Sequence, residues 1–377
     1  MSPNHNAPSH SIHPVGFRVY ELGRLKEGDP VKIIELTAGQ VRVGLSCLGA
    51  RIVYVDTPDR RARENTISLR YPSAEDYGQD RLYLGATVGR VANRIGRGQC
   101  PLGAETLTLT KNEPHTGHHL HGGRFGLDGQ HWTFKILRCA GEPKRIGVVF
   151  HTYQPAGHEG YPGRLDVSAI YTVDEYNRLG IEYRTSVDAT TLANLTNHAY
   201  WNLSGRADVG SSIGGHMLEL TAESYLERSP QRVPTGEVVS VDDTAFDFRT
   251  ARAMEEQLEH FADGDLDHYF VIPESAPKVQ GVFSDTEVEL RQAATLIHPG
   301  SGRRLDVATD QPGLQVYAAH TLSRGSQGRW KDHSGLCLET HGYPDAPNHA
   351  GFPSIVLEPG ATSIQRTQLT FSVIDQL

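Results

Sequence analysis

Two segments place proton-transfer groups among residues suited to binding hydroxyls. Leu192 to Leu203 (LANLTNHAYWNL) carries His198 among the amides Asn194, Asn197 and Asn202, next to the aromatic pair Tyr200 and Trp201. Aromatic faces stack on the C–H side of a pyranose ring while amides bond its hydroxyls, so this run has the character of a sugar site. Gly335 to Thr340 (GLCLET) is an apolar, strand-like run with a single acid, Glu339. Burial without a partner would be costly and would raise its pKa, and a carboxylate tuned upward suits a general base near neutral pH. Taken singly, His198 and Glu339 also fit satisfied core residues. Asp267 and His268, beside Tyr269 and Phe270 at a strand entrance, add another acid, and Tyr343 to Asn348 is a turn-rich loop able to wall a cleft.

Two further stretches are rich in His, Gly and Arg. His115 to Gly123 holds four histidines, His115, His118, His119 and His121. On a strand His119 and His121 would share one face, as two metal ligands require, yet the next acid is Asp128, beyond a Gly-Gly turn. Metal binding, surface histidines and a hydrogen-bonding role for His121 all stay open, with His115 and His118 expected at the surface. Gly85 to Gly98 (GATVGRVANRIGRG) lacks the Gly-Lys-Ser/Thr ending and following helix of a phosphate loop. It reads either as a tight turn with solvated arginines or as a site in which Asn93 and Arg94 face vicinal hydroxyls.

The elements that must position these groups read as strands. Val31 to Leu36, Gln40 to Leu45, Leu165 to Val173 and Leu179 to Arg184 alternate with period two, and Asp174 to Asn177 joins the last two like a hairpin loop. Turns are expected at Pro234-Thr235-Gly236, His298 to Gly302 and Glu358-Pro359-Gly360. Helical signals are few: a three-turn helix from Thr250 to His260, with Thr250 as its cap, and one turn at Ser73 to Tyr77. The prediction is an all-β fold with few short helices, one antiparallel β-sandwich over residues 15–377 behind a disordered leader, 1–14. A formal charge of −9 argues against a nucleic-acid partner, and no apolar run suits a membrane span or signal peptide. The cysteines Cys47, Cys100, Cys139 and Cys337 are widely spaced among apolar neighbours, which suggests buried reduced thiols and a cytoplasmic location.

From Val31 to Arg366 an ordered series of motifs resembles the aldose 1-epimerases, or galactose mutarotases. It comprises GATVGRVANRI (85–95), LHGG (120–123), EGYPG (159–163), TNHAY with Asn202-Leu203 (196–203), PTGE (234–237), FDFR (246–249), Asp267-His268, PGLQ (312–315), and LET with PDAPN (338–348). The resemblance implies a large β-sandwich of the galactose mutarotase type with an open sugar cleft. It places the general acid on His198, the general base on Glu339, and sugar-binding positions on Asn93, Arg94, His121, Asp267 and Gln315. It implies no cofactor and no metal, and a small-molecule sugar as the partner of a monomer or homodimer. The implied activity is interconversion of the α and β anomers of a free aldose. Recruitment to another acid/base reaction on a hemiacetal-like substrate, or to non-catalytic sugar binding, are the alternatives.

The chain departs from the family pattern at Trp201, Tyr269, the run Ala318-Ala319-His320, and His341-Gly342-Tyr343. These changes are expected at the cleft walls, where they would alter which sugar is preferred and spare the acid/base pair.

Overall fold

The computed structural model describes residues 12–207, 210–284 and 286–375. Its strands form three large antiparallel sheets, linked by short two-stranded pairings. The first alternating runs build a five-stranded meander from His13–Arg24, Pro30–Gly39, Val41–Ser46, Arg51–Pro58 and Glu64–Thr66. Leu165–Asp174 and Arg178–Val187 form the expected hairpin, with Asn177 at φ 61°, a left-handed conformation that asparagine tolerates in tight turns.

That hairpin belongs to a ten-stranded sheet. Its order is Thr133–Arg138, Arg145–Gln154, Leu165–Asp174, Arg178–Val187, Thr362–Val373, Arg303–Thr309, Glu287–His298, Met217–Leu220 and Arg252–Ala253, with Lys278–Val282 also on Glu287–His298. The third sheet runs Tyr200–Trp201, Leu336–His341, Gly313–Tyr317, Asp267–Val271, Ser224–Arg228 and Pro234–Ser240. One hydrophobic cluster takes side chains from all three sheets, from Ile34 through Val148, Ile181, Tyr183, Leu314 and Leu336 to Phe371. This is a β-sandwich in which each sheet gives its apolar face to a shared core.

Several expectations change. Among the described residues the α-helices are Ala74–Gly78, Met254–Leu258 and Leu322–Gly325. The first is the turn expected after Ser73, whose side chain accepts the Asp76 N–H. The three-turn helix at 250–260 shrinks to five residues, because Arg252–Ala253 pairs as a strand with Met217–Leu218 and the cap falls on Ala253, which has no capping oxygen. Pro234 to Gly236 opens an edge strand, a position that tolerates proline. Of the expected leader, residues 1–11 lie outside the described residues, whereas His13 and Pro14 already belong to the first strand. Cys47, Cys100 and Cys337 are buried thiols, but Cys139 is only partly buried. Among the described residues no helix is long and apolar enough to cross a membrane.

Candidate functional site

The pleat of the six-stranded sheet assembles the floor of the site. Tyr200 and Tyr317 both stand opposite Cys337, Gln315 opposite Glu339, and Asp267 opposite Tyr317. Directly paired residues share a face, so Tyr200, Cys337, Glu339, Gln315, Tyr317 and Asp267 project together. The intervening Trp201, Leu336, Leu338, Leu314 and Val316 project the other way, into the main core. His198 sits between two short strands, with its N–H donating to the Ala86 carbonyl and its own carbonyl accepting the Gly85 N–H, both at 2.9 Å. That clamp ties the Gly-rich segment to the floor.

Over this floor lies an open cleft of about 490 Å³, within the range of small-molecule sites. All seven residues singled out in the sequence line it: His198, Glu339, Asn93, Arg94, His121, Asp267 and Gln315. Asn93 and His121 hold each other, the Asn93 N–H donating to His121 Nδ1 (3.2 Å) and the His121 N–H to the Asn93 carbonyl (2.9 Å). With Nδ1 accepting, a neutral His121 carries its proton on Nε2. A chain of amide bonds follows: Asn93 Nδ2 donates to Gln315 Oε1 (3.1 Å), and Gln315 Nε2 donates to Asp267 Oδ1 (2.6 Å). Arg94 grips Glu113 through two parallel bonds of 2.9 and 2.8 Å. Asn93, His121 and the neighbouring Tyr83 have φ of 60°, 53° and 55°, a left-handed conformation that is costly for residues with a side chain. Gly122 follows at φ 85°, where a Cβ would run into the Gly89 carbonyl.

At the base, His198 Nε2 lies 3.6 Å from Glu339 Oε1. The two residues are 4% and 2% exposed, and Glu339 Oε2 has no hydrogen-bond partner among the described residues. Burial, reinforced by Asp267, raises the Glu339 pKa well above its usual value, with Arg94 opposing. Burial also lowers His198 to about 4 and holds His121 well below its usual value. Burial pushes Asp267 upward too, but Arg94, Arg228 and Arg232 outweigh it and hold this carboxyl low. The site thus contains a fixed anion, Asp267, beside a carboxyl that favours its neutral form. The remaining ring nitrogen of His198 faces the Cys337 sulfur at 3.6 Å, a thiol that burial keeps protonated.

A sequence profile of the aldose 1-epimerase family matches residues 32–370. The chain belongs to the aldose 1-epimerase family. It is 37% identical to the galactose mutarotase of Bos taurus over 348 residues, covering 91% of this chain and 94% of that protein. It is 32% identical to the aldose 1-epimerase of Escherichia coli K12, covering 92% and 96%. Among solved structures, a galactose 1-epimerase from Lactobacillus acidophilus superposes with a TM-score of 0.79 at 26% identity, covering 96% of this chain and 99% of that one.

The epimerase cleft differs from the sequence reading in its walls. Trp201 is not a wall: the residue parity of its two-residue strand sends it into the core against Phe371, and Tyr200 faces the cleft instead. Tyr269 and His341 share the face of the floor but lie further along its strands, outside the cleft lining, where the Tyr269 hydroxyl donates to the His341 carbonyl and His341 Nδ1 meets the Gly342 carbonyl. His320 stands behind Arg232, 3.2 Å from its guanidinium. His118, expected at the surface, is buried, with Nδ1 accepting the Arg97 N–H and Nε2 bonded to the Gln231 carbonyl. His115 is exposed, at the cleft mouth. His119 and His121 do not share a strand face, since the strand ends at Leu120 and His119 is bonded to Thr110 and Tyr161. Among the described residues the metal-like grouping is His121, His198 and Glu339, whose ligand atoms lie within 4.8 Å of one another. Arg90, one of the arginines open to a solvated reading, is fully buried and donates to the Pro162 and Gly163 carbonyls.

Arg81, Tyr83, Glu113, Tyr317, Arg232 and Arg324 also line the cleft, and no local pattern in the sequence marks them. Only Tyr200, inside the His198 motif, carried a local signal. A separate groove of about 440 Å³ crosses the ten-stranded sheet, but its polar groups satisfy one another, Thr295 and Arg304 both donating to Asp306.

Proposed function

We propose that the cleft interconverts the α and β anomers of a free aldose, with His198 and Glu339 as the acid/base pair. The observation that carries this reading is their facing position, 3.6 Å apart at the base of a cleft lined by amides, with one Glu339 oxygen unbonded. Glu339 takes the proton of the anomeric hydroxyl while protonated His198 gives its Nε2 proton to the ring oxygen. The C1–O5 bond breaks, the C1–O1 bond becomes a carbonyl, and rotation about C1–C2 exposes the other face before closure reverses both transfers. Asn93, Arg94, His121, Gln315 and Asp267 bind and orient the hydroxyls, and no redox step is involved.

The pair needs one proton, which can sit on either partner. Burial by the protein favours the uncharged arrangement, with that proton on Glu339. This is the arrangement reached after ring opening, so the hydroxyls of the incoming cyclic sugar must stabilise the imidazolium–carboxylate form. The pair titrates as a unit. Activity is expected to fall on the acid side near pH 4, where a second proton reaches His198, and on the alkaline side above the ordinary carboxylate range, where the last proton leaves.

The test is time-resolved polarimetry on fresh α-glucose, α-galactose and L-arabinose. Acceleration over buffer is expected, and its absence for every free sugar sinks the reading. Glu339→Gln and His198→Asn should each lower kcat by about 10²–10⁴-fold, and the double variant little further, because the two act together. Full activity in either variant overturns the assigned roles. Dialysis against a chelator should leave the rate unchanged. A loss restored by a divalent cation would assign the His121, His198 and Glu339 grouping to a metal instead. The buried thiols support a cytoplasmic setting.

A further inference from the structure

The charges around the cleft do not cancel. Arg94 is matched by Glu113, and Arg228 and Arg232 are matched by Asp265 and Asp267. Two more arginines line the mouth, Arg81 and Arg324, and both are exposed. Neither side chain has an ion-pair or hydrogen-bond partner among the described residues. The acids nearest in sequence are otherwise engaged. Asp80 is paired with buried Arg51 at 2.8 Å and accepts the Leu82 and Leu84 N–H groups, while Asp332 accepts the Ser323 N–H. A chain with a net charge of −9 therefore presents two uncompensated guanidinium groups at the entrance to its sugar cleft.

The two arginines also belong to one rim. Gly325, next to Arg324, packs closely on the side chain of Leu82, next to Arg81, so that a Cβ there would have to displace it. The Tyr200 hydroxyl donates to the Leu82 carbonyl (3.1 Å), and Arg51 donates to the Leu84 carbonyl (3.1 Å), so the Arg81 segment is fixed from below. A guanidinium fork matches the oxygens of a phosphate or carboxylate far better than a neutral hydroxyl. The reacting pair lies buried at the base, and the arginines stand at the mouth.

We propose that Arg81 and Arg324 form an anion-recognition rim, so that the preferred substrate is an aldose bearing a phosphate or carboxylate group remote from its anomeric carbon. The inference rests on the mutarotase reading and extends it to a substrate class. Positive potential at a cleft mouth raises both the encounter rate and the residence of an anionic ligand, and salt weakens the effect.

The experiment compares catalysed mutarotation of glucose, glucose 6-phosphate and glucuronate by exchange NMR, each above its uncatalysed rate. At least one anionic sugar should exceed glucose in kcat/KM by about tenfold or more, the worth of one charge-assisted hydrogen bond. Preference for the phosphate alone assigns the rim to phosphate esters, and preference for glucuronate alone assigns it to carboxylates. The preference should shrink several-fold in about 0.5 M salt. In Arg81→Gln/Arg324→Gln the anionic-to-neutral ratio should approach one. Arg81→Glu/Arg324→Glu should instead favour 6-amino-6-deoxyglucose over glucose, and melting curves check that both variants fold. If glucose is turned over and neither anionic sugar is preferred, the rim inference falls while mutarotation stands. If no sugar is accelerated, the mutarotase reading itself has failed.

Discussion

A buried carboxyl with an unbonded oxygen works against the fold that carries it, and Glu339 is such a group. Its pKa in the folded chain is raised well above the usual value by burial and by Asp267. Below the unfolded pKa both states hold the proton, and the group has little effect on stability. As the pH rises above that value the unfolded chain ionises freely while the folded chain resists, so stability falls until the folded pKa is reached. Glutamine has a similar shape and cannot ionise. Glu339→Gln is therefore expected to match the wild type in melting temperature at about pH 4 and to exceed it progressively toward pH 8, even as activity is lost. A gap that stayed constant across that range, or a variant less stable at alkaline pH, would count against the raised pKa. This residue was legible in the sequence because a single acid interrupts an apolar run. His118 was not, since its partners Arg97 and Gln231 come from distant segments that only the fold brings together.

At the scale of elements, the rim of the cleft depends on one buried ion pair. The Arg51 guanidinium donates to Asp80 and to the carbonyls of Leu48, Leu84 and Asp128, and so joins a strand of the first sheet to the segment bearing Arg81 and Tyr83. Arg51→Met leaves Asp80 buried without its cation and should cost about 3–5 kcal/mol in urea unfolding. KM should also rise, because the Tyr83 and Arg81 backbone loses its anchor. A loss below about 1 kcal/mol, the worth of an exposed pair, would show that the rim is held by other contacts. Strands such as Leu165–Asp174 were legible because period-two alternation over ten residues leaves little ambiguity. Tyr200–Trp201 has only two residues, so sequence alone could not say which ring faces the sugar. That choice is made by its pairing with Cys337 and Leu336. The Thr250 to His260 helix misled for a related reason: strand pairing with Met217–Leu218 competes for its first turn and wins.

The whole molecule is closed by the end of its chain. Thr362–Val373 lies inside the ten-stranded sheet, paired along its length with Arg178–Val187 on one side and with Arg303–Thr309 on the other. Its Leu369 and Phe371 enter the main core, where Phe371 packs on Trp201, and Arg366 bonds buried Glu182. Strand order of this kind is not written in local periodicity: each strand was recognisable, but not its neighbours. The topology has consequences for folding. Until residue 362 is made, two long strands present unpaired edges, and the contacts that close the sheet span nearly 200 residues, which makes them slow to form. We propose that residues 15–377 fold as one cooperative unit, which puts the acid/base pair at the mercy of this last strand although none of its residues lines the cleft. A chain ending at Ala361 should be insoluble or lack native near-ultraviolet circular dichroism, and the 377-residue chain should unfold in urea in a single transition reported equally by tryptophan fluorescence and by activity. A soluble truncated chain that still accelerates mutarotation would mean that the six-stranded sheet and its cleft stand without the sheet behind them.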